Sequence, residues 1–254
     1  MTTTLDPDRF DAVIFDLDGV ITDTASVHRA AWKRLFDDYL ADRSTDPAED
    51  HRPFTDQDYL RHVDGKPRLD GVRDFLLSRG IEVDEDTVVE LGERKNEAFL
   101  ASLEEDGVVV FESTVELVCR LQLSGLRTAV FSASRNCRPV LEAAGLGELF
   151  EARVDGVVAA ELGLPGKPDP AVLLEATRRL DAEPDRTVVV EDAQAGVQAG
   201  RRGGFGLVIG IDREGVADEL REHGADVVVD DLAEVVVEVP DEEELRRVLA
   251  RYLP

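Results

Sequence analysis

Three pairs of polar residues stand directly after short apolar runs, and their types suit one chemistry. Asp16 and Asp18 follow DAVIF, Ser132 and Ser134 follow LRTAVF, and Glu191 and Asp192 follow TVVV. Lys167 adds an ammonium in the loop GLPGKPDP. Several carboxylates held close together repel one another unless a divalent cation neutralises them. Oxygen ligands with open positions suit Mg²⁺, which also takes phosphate oxygens. A carboxylate is a competent nucleophile toward phosphorus, and Asp16 is the candidate. A second carboxyl two residues on, Asp18, is placed to act as general acid and base. The Ser132 hydroxyl and the Lys167 ammonium would offset charge on a phosphoryl group in transfer.

These residues meet only if the runs before them are neighbouring strands. Asp11 to Phe15, Leu126 to Phe131, Thr187 to Val190, Leu207 to Ile211 and Val227 to Val229 read as buried strands. Helical spacing appears between them, at Thr114 to Leu123, Pro139 to Ala144 and Pro170 to Leu180, the last two opening with a proline where a helix tolerates one. Strands alternating with helices predict an α/β fold with a doubly wound, Rossmann-like parallel sheet, whose ligands lie at the carboxyl ends of the strands. From about Thr24 to about Ser102 the alternation stops. Helical patterns at Val27 to Leu40, Gly71 to Ser78 and Thr87 to Leu103 flank a polar, turn-rich stretch from Asp42 to Arg52. The expected organisation is an α/β core from residues 1–23 and 104–254, with an α-helical insert at 24–103.

Composition narrows the partners. The 254 residues are 43% hydrophobic, enough for a proper core, and no apolar run approaches the roughly 20 residues that span a bilayer. The first residues, MTTTLDPDRFD, carry no basic and apolar segments of a secretory signal. A net charge of −26, spread along the chain, would repel nucleic acid and anionic membranes, so neither is an expected partner. Cys119 and Cys137 lie in no metal-binding spacing and are expected as free, buried thiols, which fits a reducing, cytoplasmic compartment. A monomer is expected. Only four of the 29 basic residues are lysines, so Lys33, Lys66, Lys95 and Lys167 are exceptions in a chain that prefers arginine. A compact ammonium is a natural point charge for phosphate.

The segments FDLDGV, FSAS, GKPDP and VVVEDA, in this order at these strand ends, resemble the four motifs of the haloacid dehalogenase superfamily. The resemblance implies Asp16 as nucleophile, Asp18 as acid and base, and Ser132 and Lys167 as stabilisers of the transferring phosphoryl group. It implies Mg²⁺ held by Asp16, Asp192 and the main chain of Asp18, with Glu191 supporting or joining them. The dehalogenase branch lacks the second aspartate, so Asp18 argues for phosphoryl transfer. The insert corresponds to the family's cap.

Within the superfamily, DLDGVITDTASVHRAAW resembles the start of the β-phosphoglucomutase group. That places Thr24 near the cap hinge and His28 on the first cap helix, where it couples closure to Asp18. GKPRLDGV, ERKNEAF and SASRN resemble further segments of the group. They imply Arg68 on a phosphate, Lys95 near the sugar or phosphate, and Ser134, Arg135 and Asn136 at a second phosphate site. Arg135 replaces the group's lysine, which keeps the charge and alters the geometry.

A mutase that interconverts β-glucose 1-phosphate and glucose 6-phosphate is the reading this resemblance implies. A sugar-phosphate phosphatase of the same superfamily is the alternative, because DxD is common to both. A non-catalytic sugar-phosphate-binding or partner-binding domain is a third reading, disfavoured by the intact set of Asp16, Asp18, Lys167 and Asp192. Trp32 reads as packing within the insert, and the glycines of GRRGGFG do not make a dinucleotide loop.

Overall fold

A computed structural model describes residues 3–43, 49–239 and 241–253 of the chain. Eight strands occur among them: β1 (Thr3–Thr4), β2 (Ala12–Asp16), β3 (Arg127–Phe131), β4 (Ala152–Val154), β5 (Thr187–Glu191), β6 (Leu207–Ile211), β7 (Val227–Val229) and β8 (Val235–Val236). Six of them form one parallel sheet in the order β4-β3-β2-β5-β6-β7, while β1 and β8 pair separately. The expected α/β class and parallel sheet are therefore present.

The sheet is parallel because its strands are apolar on both faces. In β2 all five residues are buried. Val13 and Phe15 point into one cluster with Val118, Leu121 and Val140, whereas Ala12 and Ile14 point into another with Leu173, Ala176 and Val197. Helices cover both faces: α5 (Glu112–Leu123), α6 (Cys137–Ala143) and α11 (Glu242–Leu249) on the first, and α8 (Ala171–Arg179), α9 (Gln194–Arg202) and α10 (Ala217–His223) on the second. The helix α7 (Gly156–Leu162) follows β4, capped by Asp155, whose carboxylate accepts from the Val157 and Val158 amides.

The insert is helical: α1 (Thr24–Asp42), α2 (Asp56–Asp58) running into a π-helical turn at Tyr59–Val63, α3 (Arg68–Ser78) and α4 (Glu85–Asp106). Its side chains build a third cluster of their own, from Trp32 to Leu91, around Phe36, Phe54 and Phe75. Trp32 stacks on Phe36 with ring centroids 5.2 Å apart, which agrees with the packing reading. The chain leaves the sheet and returns to it along paired segments: the Asp23 amide donates to the Val109 carbonyl at 2.9 Å and the Phe111 amide to the Ile21 carbonyl at 3.0 Å.

Some elements exceed the sequence expectation. The edge strand β4 lies in EARVD, which has no apolar run, and α7, α9, α10 and α11 were not foreseen. Of the polar stretch Asp42 to Arg52, residues 44–48 lie outside the described residues; the rest is bound by charge, Arg43 to Glu49 and the buried Arg79 to Asp50 and Asp58. Both cysteines are free and buried. Among the described residues no helix is long and apolar enough to cross a membrane.

Candidate active site

The register of the central strands decides where the chemistry gathers. Asp16 pairs with Phe131 across β2 and β3, and Phe15 with Val190 across β2 and β5. Asp16, Ser132 and Glu191 therefore emerge side by side at the carboxyl edge of the sheet. The cis peptide between Lys167 and Pro168 lies in the loop before α8, and the Lys167 ammonium enters the same ground. It donates to Asp16 Oδ1 at 2.5 Å and also to Glu191 Oε1. All three are buried. Glu191 Oε2 accepts from the Ala193 amide at 2.6 Å, and the Asp18 amide donates to Asp16 Oδ2 at 3.0 Å.

Asp16, Glu191 and Asp192 present carboxylate oxygens that all lie within 4.8 Å of one another. Burial pushes the Asp16 carboxyl well above its ordinary range; Lys167 pulls it back, and the charges of Glu191 and Asp18 push it further up. Asp192 is raised too, by burial and then by Glu191, Asp64 and Asp16. Burial works against the Lys167 charge, yet Asp16 and Glu191 hold its pKa above the usual lysine value. One ammonium against this many carboxylates leaves an excess of negative charge in a dry place. Gly19, at φ 85, lets the Asp192 carboxylate pack directly against the backbone, in the place where a Cβ would lie 1.8 Å from its Oδ2. Hard oxygen donors and unrelieved negative charge on the wall of a cavity fit a small divalent cation.

Asp18 is held from the other side. Its Oδ1 accepts from the Thr24 hydroxyl at 2.5 Å and lies 3.3 Å from His28 Nε2, and its Oδ2 lies 3.5 Å from Ser132 Oγ. Burial opposes the Asp18 charge, but His28, the Thr24 hydrogen bond and Lys95 bring its pKa down to about 2. The His28 ring stacks on Phe99 at 4.0 Å, and its Nδ1 faces the Lys95 ammonium. Burial lowers the His28 pKa, and Lys95 lowers it further. A neutral imidazole with its proton on Nε2 satisfies both neighbours. Burial likewise brings Lys95 down to about 7, with Asp18 opposing and Arg68 assisting the shift.

A cavity of about 390 Å³ opens over these groups, between the sheet edge and the insert. Asp16, Asp18, His28, Lys95, Ser132, Lys167 and Asp192 line it near the sheet. Arg68, Ser134, Arg135 and Asn136 also line it. The Arg68 Nε is buried without a hydrogen-bond partner, and burial together with the Arg135 charge lowers the Arg68 pKa. The Glu93 charge opposes that shift in part, and the Arg68 and Arg135 guanidiniums on one cavity wall have the chemistry to take an anion. Ser134 Oγ accepts from the Asn136 amide at 3.1 Å, and Asn136 Nδ2 donates to Asn96 Oδ1 at 2.7 Å.

All thirteen residues singled out from the sequence lie in this cavity or hydrogen-bond to a residue that does. Thr24 and Glu191 are of the second kind. Sequence reasoning passed over Tyr59, Asp64 and Asn96, which line the same cavity. Asn96 follows Lys95 in the RKN segment, and Asp64 precedes the Gly65 turn; neither has a residue type that announces a role. Lys66, left unassigned, is bound to Asp74 and to the Arg61 carbonyl.

Known proteins resemble the chain in sequence and in fold. Residues 10–204 match the family model of the haloacid dehalogenase-like hydrolases. A β-phosphoglucomutase of Mycobacterium bovis is 46% identical over 243 residues, covering 91% of this chain and 93% of that protein. A trehalose-phosphate phosphatase of Mycobacterium leprae is 44% identical over 160 residues, 60% of this chain and 35% of that protein. The crystal structure of a β-phosphoglucomutase from Clostridium difficile superposes with a TM-score of 0.71 at 23% identity, covering 96% of this chain and 99% of the other, a likeness of fold. The chain belongs to the haloacid dehalogenase-like hydrolase family and is a phosphoryl-transfer enzyme.

Proposed function

We propose that the protein is a Mg²⁺-dependent mutase that interconverts β-glucose 1-phosphate and glucose 6-phosphate through a phosphorylated Asp16 and a bound bisphosphate. The observation that supports this reading is that Asp16 and Lys167, and also Arg68 and Arg135, line one cavity. We read the first pair as the place of the reacting phosphoryl group and the second as the holder of another phosphate. A phosphatase needs only the first, whereas a mutase must also hold the phosphate that is not reacting.

Asp16, Asp192 and the main chain of Asp18 would hold Mg²⁺, with Glu191 supporting or joining them. When bound, the ion supplies charge neutralisation among the carboxylates and on phosphate oxygens. In the first half-reaction the phosphoryl group passes from Asp16 to the free hydroxyl of the sugar monophosphate. The hydroxyl proton goes to the Asp18 carboxylate, and the Asp16 carboxylate is released. In the second, the bisphosphate has turned round, Asp16 attacks the other phosphorus, and Asp18 returns the proton to the departing sugar oxygen. Lys167 and Ser132 offset charge on the group in flight. Residues 24–103 act as the cap, with Thr24 and His28 holding Asp18 oriented toward the sugar hydroxyl, and closure keeps water from the phosphorylated Asp16.

Phosphorus NMR tests the reading. The protein is mixed with Mg²⁺, β-glucose 1-phosphate and a trace of glucose 1,6-bisphosphate. Growth of the glucose 6-phosphate signal without free phosphate is expected, and its loss in Asp16→Asn. Growth of inorganic phosphate instead would make the protein a sugar-phosphate phosphatase, the reading favoured by its likeness to the trehalose-phosphate phosphatase.

A further inference from the structure

The loop after β3 carries Ser132, Ser134, Arg135 and Asn136, and the neighbouring strand fixes its path. The Ser132 amide donates to the Val154 carbonyl at 3.1 Å, and just past β4 the Gly156 amide donates to the Ser134 carbonyl at 3.0 Å. Between these bonds the two segments approach closely. A Cβ on Gly156 would lie 2.6 Å from the Ala133 carbonyl oxygen, 3.0 Å from the Ser134 carbonyl carbon and 3.1 Å from the Arg135 amide nitrogen. All three are main-chain atoms, which cannot turn aside as the end of a side chain can. Gly156 itself lines the reaction cavity.

Nothing else at this position calls for glycine. Its φ lies outside the left-handed region, so its backbone conformation is open to other residues. It is the first residue of α7, a helix that glycine does not favour. The buried Asp155 already caps that helix, its carboxylate accepting from the Val157 and Val158 amides at 3.0 Å each. What glycine supplies is a missing side chain, which lets the loop settle against the start of α7. From that seat the loop keeps its own turns: Ser132 Oγ accepts from the Ser134 amide at 2.9 Å, and Ser134 Oγ from the Asn136 amide at 3.1 Å. Ser134 and Arg135 therefore line the cavity from a backbone with little play.

Resting on the reading of Arg135 as a holder of the phosphate that is not reacting, we infer that Gly156 is a positioning residue for that phosphate. By offering no side chain it sets how deep the backbone at 133–135 sits, and so where the Ser134 hydroxyl and the Arg135 guanidinium meet the ligand. An alanine there must displace this backbone, and a guanidinium that grips phosphate by two parallel bonds tolerates little displacement. Asp16 and Glu191, on β2 and β5, are not among the atoms that the added Cβ would meet.

The test is a double-mutant cycle on the interconversion of β-glucose 1-phosphate and glucose 6-phosphate. Arg135→Ala in the wild-type background should lower kcat/KM about 10- to 100-fold. Gly156→Ala alone should lose about as much, most of it through KM, because a holding contact is made before and during transfer alike. In the Gly156→Ala background, Arg135→Ala should cost less than about threefold, since the guanidinium it removes is already misplaced. A glycine that served stability alone would give losses that multiply. Asp155→Ala carries the same test without adding an atom, should Gly156→Ala not fold. It frees the first turn of α7 from its cap and should raise KM about 3- to 10-fold, with the same shrinking of the Arg135 effect. Unchanged kinetics in Gly156→Ala, or losses that multiply in the cycle, overturn the inference alone. Arg135→Ala without effect in the wild type, or wild-type protein that turns over neither sugar phosphate, overturns the reading on which it rests, and the inference with it.

Discussion

His28 Nε2 lies 3.3 Å from Asp18 Oδ1, so a helix of the insert touches the second aspartate of the sheet edge. His28 and the Thr24 hydroxyl, both on the first helix of the insert, are among the groups that hold the Asp18 carboxyl near 2, so its orientation and acidity depend on where that helix sits. Replacing His28 with alanine should raise the Asp18 pKa, so the acid limb of the kcat/KM profile moves to higher pH, with kcat about 10- to 100-fold lower. A pH–rate profile superimposable on that of the wild type would refute the coupling.

Lys95 gives a second pH effect with a definite sign. Burial takes its pKa from 10.5 to about 7, so between these values the unfolded chain holds a proton that the folded chain does not. Unfolding free energy from this group therefore rises with pH across that window, and the penalty of a buried ammonium is fully felt below about 7. Urea unfolding of wild type and Lys95→Met, compared from pH 7 to pH 10.5, should show the wild-type slope as the steeper. An anionic ligand near Lys95 should restore its charge, so binding at pH 8 should take up a proton, measured by calorimetry in buffers of differing ionisation heat.

The carboxylate cluster should respond to metal before any substrate is present. Mg²⁺ at a hundred times its dissociation constant should raise unfolding free energy by about 2.7 kcal/mol. Asp192→Asn should weaken that response, and in chelated protein it should raise the melting temperature, because one of the mutually repelling acids is gone. Identical melting curves for wild type with chelator and with Mg²⁺ would argue against a metal at this cluster.

Lys167 is bound to two buried carboxylates, and Glu191 is 0% exposed. Truncating Lys167 to alanine leaves both without a counter-charge, and about 3–5 kcal/mol of stability should be lost in urea unfolding. Glu191→Gln in the same background should recover part of it. Additive losses from the two changes would mean that the pair is not energetically coupled.

The sheet was readable because its strands are continuous apolar runs, and Leu207–Ile211 and Val227–Val229 fall where the pattern places them. The edge strand Ala152–Val154 was not: Val227–Val229 is an equally short edge strand but reads VVV, whereas Arg153 interrupts the apolar pattern of ARV. Site residues at strand ends were legible for a related reason: a buried apolar run that stops on Asp or Glu leaves a mark. Asp64 leaves none. It follows a π-helical turn whose spacing breaks the helical period, and its place in the cavity depends on how the insert meets the sheet edge, which no local pattern encodes. The orphaned Nε of Arg68 is likewise a property of the assembled cavity.

The insert has its own apolar cluster, while several of the side-chain contacts that join it to the rest are polar, such as Asn96 with Asn136 and the bidentate Arg29 with Glu214. Ala31, Phe99 and Val27 of the insert nevertheless pack into the sheet's own cluster, so lifting it would expose apolar surface as well as break polar bonds. The two segments that join it to the sheet run side by side, which would confine any such displacement to a swing about them.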